Sequence, residues 1–145
     1  MPIELSNLAL AIEQPFDFVE EHPEWQIYKD YHTDKDYHLG FNVLTNEEEN
    51  VAFINFLGFD GNVGQDNVYK NIPFGRHKEL FESEDMVNTS EEISTLMRDL
   101  TEEGYDVQFS GHSYGGFKSR YFAGLYDRPS HNFNAHWFPW NRKLF

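Results

Sequence analysis

The sequence predicts an α/β fold: a small, mostly parallel sheet with flanking helices. Three observations predict it. Residues 51–59, "VAFINFLGF", are a near-continuous apolar run of strand length, the mark of a strand buried on both faces. Residues 89–104 read as a capped amphipathic helix closed by a glycine, with a short strand candidate directly after it. From residue 51 onward strands and helices alternate, and alternation implies parallel strands joined by crossovers.

The chain of 145 residues is the length of one ordinary domain, with a helical N-terminal segment at 1–35 and the sheet core at 36–145. Leu5, Leu8 and Ile12 recur at spacings of three and four until Pro15 interrupts them. "FDFVEEH" follows, with Phe16, Phe18 and Val19 as its buried set, and Pro23 closes it. Residues 24–32, "EWQIYKDYH", fit either a helical turn or a strand. Residues 36–45 read as a strand, and the polar "NEEEN" at 46–50 as the turn of a hairpin into 51–59. Residues 60–67 are a loop by composition, and 68–88 wrap the surface, with room for a short helix over 77–83.

Thr89 and Glu92 have capping-box spacing, which places a helix start at Thr89. Ile93, Leu96, Met97 and Leu100 then form one apolar stripe, and Gly104 ends the helix. "YDVQFSG" at 105–111 is a strand. A helix from about residue 115 carries Phe117, Tyr121 and Leu125 along one face, until Asp127-Arg128-Pro129 breaks it. "HNFNAHWF" at 131–138 is the last strand candidate, stopped by Pro139.

Composition excludes several functions. Aromatic residues make up 17% of the chain, which fits a packed core rather than a disordered segment. Acidic side chains outnumber basic ones 25 to 11, a net charge of −14. Such a surface repels phosphate backbones and anionic lipid, so nucleic acid is not an expected partner. There is no cysteine, and hence no disulfide or thiolate chemistry. The start lacks a basic region and a long apolar core, so no signal peptide or transmembrane segment is expected, and the expected location is cytoplasmic. His22, His32, His38 and His77 show no metal-binding spacing, and Glu47–Glu49 reads as a solvated turn; no metal or cofactor is implied.

One short stretch carries chemistry. Gly111-His112-Ser113-Tyr114-Gly115 fits G-x-S-x-G, with a strand candidate before it and a helix candidate after it. A nucleophile elbow needs that context. Its tight turn also needs small flanking residues, which Gly111, Gly115 and Gly116 supply.

With these residues, the segment from Tyr37 to Trp137 resembles the class-3 lipases of the α/β-hydrolase superfamily, in a short form. The matching pieces are "NVAFINFLGFDG", the capped helix, "YDVQFSGHSYGG" and "HNFNAHWF". The resemblance implies that Ser113 is a nucleophile acting on an ester, thioester or amide. It implies an oxyanion donor at the Tyr114 N–H and a second from the loop at Gly58, Phe59 or Asp60. It gives His112 a structural role. The sequence departs from the family at Tyr114, where the family has Leu, and at Lys118 and Arg120, which suggest a more exposed helix. The segment that carries the family's acid and base has no counterpart in the 32 residues after Ser113.

A triad assembled from the residues present takes His136 as base, with Asp60 or Asp127 orienting it. The carboxyl ends of parallel strands open on one edge, where Asp60, Ser113 and His136 would meet. The plainer reading is that His131 and His136 face solvent or satisfy a buried polar contact. The whole-protein alternative is a non-catalytic structural or interaction protein that keeps the fold. Such a protein would be a homo-oligomer or a subunit of a larger assembly, such as a virus or phage particle. Its contacts would be the aromatic C-terminus, "HWFPW", and an open sheet edge.

Overall fold

A computed structural model of the chain describes residues 5–31, 40–57, 84–112 and 114–133. These form α1 (Leu5–Glu13), α2 (Pro15–Glu21), β1 (Gln26–Asp30), β2 (Phe41–Asn46), β3 (Val51–Phe56), α3 (Glu84–Glu102), β4 (Asp106–His112), α4 (Tyr114–Tyr126) and β5 (Ser130–Phe133). The strands lie in sequence order, β1-β2-β3-β4-β5. The class is α/β, but the sheet is mixed rather than mostly parallel. β1–β2 and β2–β3 are antiparallel, and β3–β4 and β4–β5 are parallel. One short connection explains the antiparallel β2–β3 pair. The 47–50 turn is too short for a crossover, so β3 must return alongside β2. The undecided segment at 24–32 contributes β1, so the helical stretch expected over 1–35 ends at Glu21.

The 47–50 turn is solvated, as its composition predicts. The Glu49 N–H donates to Asn46 Oδ1 at 3.1 Å, and Asn50 takes a left-handed φ of 56°. β3 is buried from Ala52 to Phe56 because helices cover both faces of the sheet. On one face Val43, Ile54, Phe56, Val107 and Phe109 pack under Ile93, Leu96, Met97 and Leu100 of α3 and under Phe117 and Phe122 of α4. On the other, Leu44 and Phe53 pack under Leu8, Ala11, Phe18 and Trp25.

α3 begins earlier than its capping box indicates. Thr89 lies inside the helix and is fully buried, so the helix extends at least to Glu84. A long apolar face, reaching back to Met86, overrides the local cap. The far end follows expectation. Gly104 takes φ 90°, its N–H bonds Thr101 O at 3.0 Å, and the Tyr105 N–H bonds Leu100 O at 3.0 Å, a Schellman closure.

α4 also differs from its predicted face. Leu125 is 59% exposed, while Phe122 and Ala123 are buried. Lys118, expected to mark an exposed helix, is 1% exposed. The helix turns its small residues, Gly115 and Ser119, toward the sheet, and this close seat covers the Lys118 side chain as well.

One row of polar residues crosses the sheet beneath α1. Register aligns Asn42, Asn55 and Ser110 on one face. Ser110 Oγ donates to Asn55 Oδ1, and Asn55 Nδ2 donates to Asn42 Oδ1 at 2.9 Å. Asn42 Nδ2 donates to Ala11 O and Ile12 O at 3.3 and 3.2 Å. Those carbonyls end a helix and have no acceptor role within it, so Asn42 caps α1 from the sheet. No helix among the described residues is long and apolar enough to cross a membrane.

Two predictions follow from this packing. Asn42→Ala removes the shared link and leaves two helix-end carbonyls and Asn55 Nδ2 without partners, at a cost of about 2–4 kcal/mol in urea unfolding. A loss below about 0.5 kcal/mol, the level of an ordinary surface change, would contradict this. Tyr28 on β1 donates to Glu103 Oε1 at 3.2 Å, and burial first, then the Glu103 charge, raises its phenol pKa. A raised folded pKa gives stability that is present below the unfolded value, about 10, and is lost as pH rises through the folded one. Tyr28→Phe should therefore lose less stability than the wild type between pH 9 and 11, measured by denaturant midpoint.

Candidate functional site

β4 ends at His112 and α4 starts at Tyr114, so one residue, Ser113, joins strand to helix. The packing on either side explains how so short a turn is made. A Cβ on Gly111 would lie 2.1 Å from Gly115 O and 2.7 Å from Gly116 N. A Cβ on Gly115 would lie 2.2 Å from Phe56 O and 2.3 Å from Leu57 O. Both clashes are with backbone, which cannot swing aside. The first turn of α4 is thus pressed onto the end of β4 and onto the carboxyl end of β3. Gly111, Gly115 and Gly116 are buried there.

The same seating sets the local electrostatics. The first four N–H groups of α4, from Tyr114 onward, have no acceptor within their helix. They lie at the carboxyl edge of two parallel strands, with the positive end of the helix dipole. A negative charge developing on a carbonyl oxygen at this edge is stabilised there.

His112 sits on the α1 face of the sheet, where its Nδ1 lies 3.2 Å from Glu13 Oε1. It ties the end of β4 to the end of α1. His131 Nε2 lies 3.0 Å from Gln108 Oε1, and its ring packs 5.9 Å from Phe53. His131 therefore has the plain polar role that its alternation in the sequence allows. Asp127, weighed as an orienting acid, is misplaced for that role. It follows α4 with φ 54°, and its neighbour Arg128 reaches Asp106 at 3.2 Å, at the start of β4. That is the opposite edge of the sheet, about 20 Å along a seven-residue strand from His112.

Ser113, Gly58, Phe59, Asp60 and His136 lie outside the described residues, as do His32, His38 and His77. The described chain still fixes where it departs for them. Register pairs Phe133 with His112, so the chain leaves β5 level with the point where β4 leaves for Ser113. Leu57 leaves β3 on the other side. Among the described residues no group of three His, Cys, Asp or Glu is placed to hold a metal ion.

Sequence reasoning missed Glu13, Asn42 and Asn55 as the residues that fasten α1 beside the elbow. The signal was there for the asparagines. Each interrupts a buried apolar strand, "FNVL" and "FINF", where a polar side chain is stable only with buried partners.

Gly115→Ala and Gly111→Ala should each cost at least about 3 kcal/mol, beyond the ordinary range for overpacking. Gly104→Ala, where only the left-handed φ opposes a side chain, should cost about 1 kcal/mol. Wild-type denaturant midpoints for both elbow variants would contradict the close packing.

Comparison with protein-family models, with curated proteins and with solved structures finds no match for this chain.

Proposed function

We propose that this protein is a minimal serine hydrolase of lipase or esterase type, built on a truncated α/β-hydrolase-like core, with Ser113 as its nucleophile. The observation that carries the reading is the one-residue turn between β4 and α4, closed by Gly111 and Gly115 against backbone carbonyls. A chain accepts so confined a turn where it has a residue to present at the sheet's edge.

In this reading Ser113 Oγ attacks the carbonyl carbon of a small ester, thioester or amide. Its proton passes to His136, and the oxyanion is held by the Tyr114 N–H and an N–H of the 58–60 loop. The imidazolium then protonates the leaving group, and water, deprotonated by the same base, cleaves the acyl-serine. Two adjacent facts support His136 as base. β5 is the hydrogen-bonded neighbour of β4, and His136 comes three residues after its end. Adjacent strands are about 4.8 Å apart, within reach of an imidazole. Asp60, four residues after the end of β3, would approach from the other side of β4.

A second reading, a non-catalytic protein that keeps the elbow's shape, has its own support. The described imidazoles are occupied elsewhere: His22 by Glu24, His112 by Glu13 and His131 by Gln108. Among the described residues β5 pairs only with β4, which leaves an edge for a neighbour in an assembly.

A fluorophosphonate probe separates the two. The hydrolase reading predicts one label per wild-type chain, none in Ser113→Ala, and labelling slowed about 100-fold or more in His136→Ala. A folded wild-type protein that takes no label supports the second reading and overturns the first.

A further inference from the structure

α1 and α2 meet at a corner over the same sheet edge that carries the elbow. Gln14 alone separates them, and its N–H bonds Leu10 O at 2.7 Å. Under this corner is a partly open cavity of about 210 Å³. At about 30 Å³ per water-sized group it holds roughly seven such groups, the size of a short-chain metabolite. Its apolar walls include Ile12, Phe16 and Leu57, and three carboxylates, Glu13, Asp17 and Asp30, also line it. Among the described residues that line it there is no Lys, Arg or His.

The charged side chains described in its lining are all acidic. The C-terminal end of α1 contributes the negative end of a helix dipole. The positive end of α2 is countered by Asp17 in its own first turn. A net charge of −14 adds a long-range pull on cations. An anionic ligand is repelled, and a purely apolar one strips water from carboxylates without replacing it. A short alkyl chain ending in an ammonium group matches both the apolar and the acidic lining. Phe16 is 58% exposed, an aromatic face at the rim with little of its own to cover it.

The cavity also touches the elbow from two sides. Glu13, in its wall, holds His112, the residue before Ser113. Leu57, also in its wall, presents its carbonyl to Gly115.

We infer that this cavity binds the alkylammonium portion of a small ligand and, resting on the reading of Ser113 as nucleophile, that the substrate is an amine-bearing ester, thioester or amide. The probe is pentylammonium, titrated calorimetrically into the full chain at low salt, with pentanol and pentanoate as matched controls. Saturable binding of the ammonium, about tenfold tighter than the alcohol and with no binding of pentanoate, is the expected result. Glu13→Gln and Asp17→Asn should each weaken it about threefold or more, and so should Phe16→Ala. All three side chains are exposed, and Glu13→Gln keeps an amide oxygen that can still accept from His112, so the variants keep the fold. Equal binding of ammonium and alcohol, unchanged affinity in the variants, or no saturation would each overturn the cavity's assignment. The fluorophosphonate result is read separately. A labelled serine without ammonium binding removes the cavity and leaves the hydrolase reading. Ammonium binding without a labelled serine leaves the cavity and removes its link to catalysis.

Discussion

The contact on which the rest depends is the approach of Gly115 to the carbonyls of Phe56 and Leu57, with Gly111 directly beneath Gly115. It fixes α4 against β3 and β4 at once. With the first turn seated there, Phe122 stacks on Phe56 with ring centroids 5.7 Å apart, and Phe56 on Phe109 at 6.3 Å. The helix then returns to the opposite edge and delivers β5 parallel to β4. A side chain at either glycine would lift the first turn away from the strands. The fold and the proposed chemistry share this constraint. The strand-to-helix turn on which the proposed nucleophile lies is the same turn that seats α4 on the sheet.

The other face is organised by hydrogen bonds instead of glycines. The row Asn42–Asn55–Ser110 runs across three strands and ends on the carbonyls of α1. Buried amides of this kind are costly unless each finds its partners, so the row tolerates one docking position for α1. Glu13 then reaches His112, and the α1–α2 corner is held over the sheet edge, with the cavity beneath it. Two separate devices thus converge on one edge: glycines beneath α4, and an amide row beneath α1.

Much of this was legible in the sequence. β3 is recognisable from its apolar run, α3 from its stripe and Gly104, and the elbow from its glycines, because each rests on local pattern. The β2–β3 hairpin was legible from its polar turn, whereas β1 was not, since Gln26–Asp30 is too short for its period to decide between helix and strand. The start of α3 misled because a sound capping box at Thr89 was overridden by packing. Lys118 and Leu125 misled because the orientation of α4 is set by how closely Gly115 approaches β3, a tertiary distance and not a periodicity. Asn42 and Asn55 needed the register of two strands before their partnership made sense. Ser113 was readable as a motif residue, whereas the base proposed for it, His136, follows the end of β5, and no local pattern in the sequence fixes its place.

The most direct test is the mass of the protein during turnover. Quenched while hydrolysing a short-chain 4-nitrophenyl ester in excess, the wild-type chain should carry one acyl group, and peptide mapping should place it on Ser113. An unmodified chain, with ester loss no faster than in buffer, would contradict the account, and so would an acyl group on any other residue.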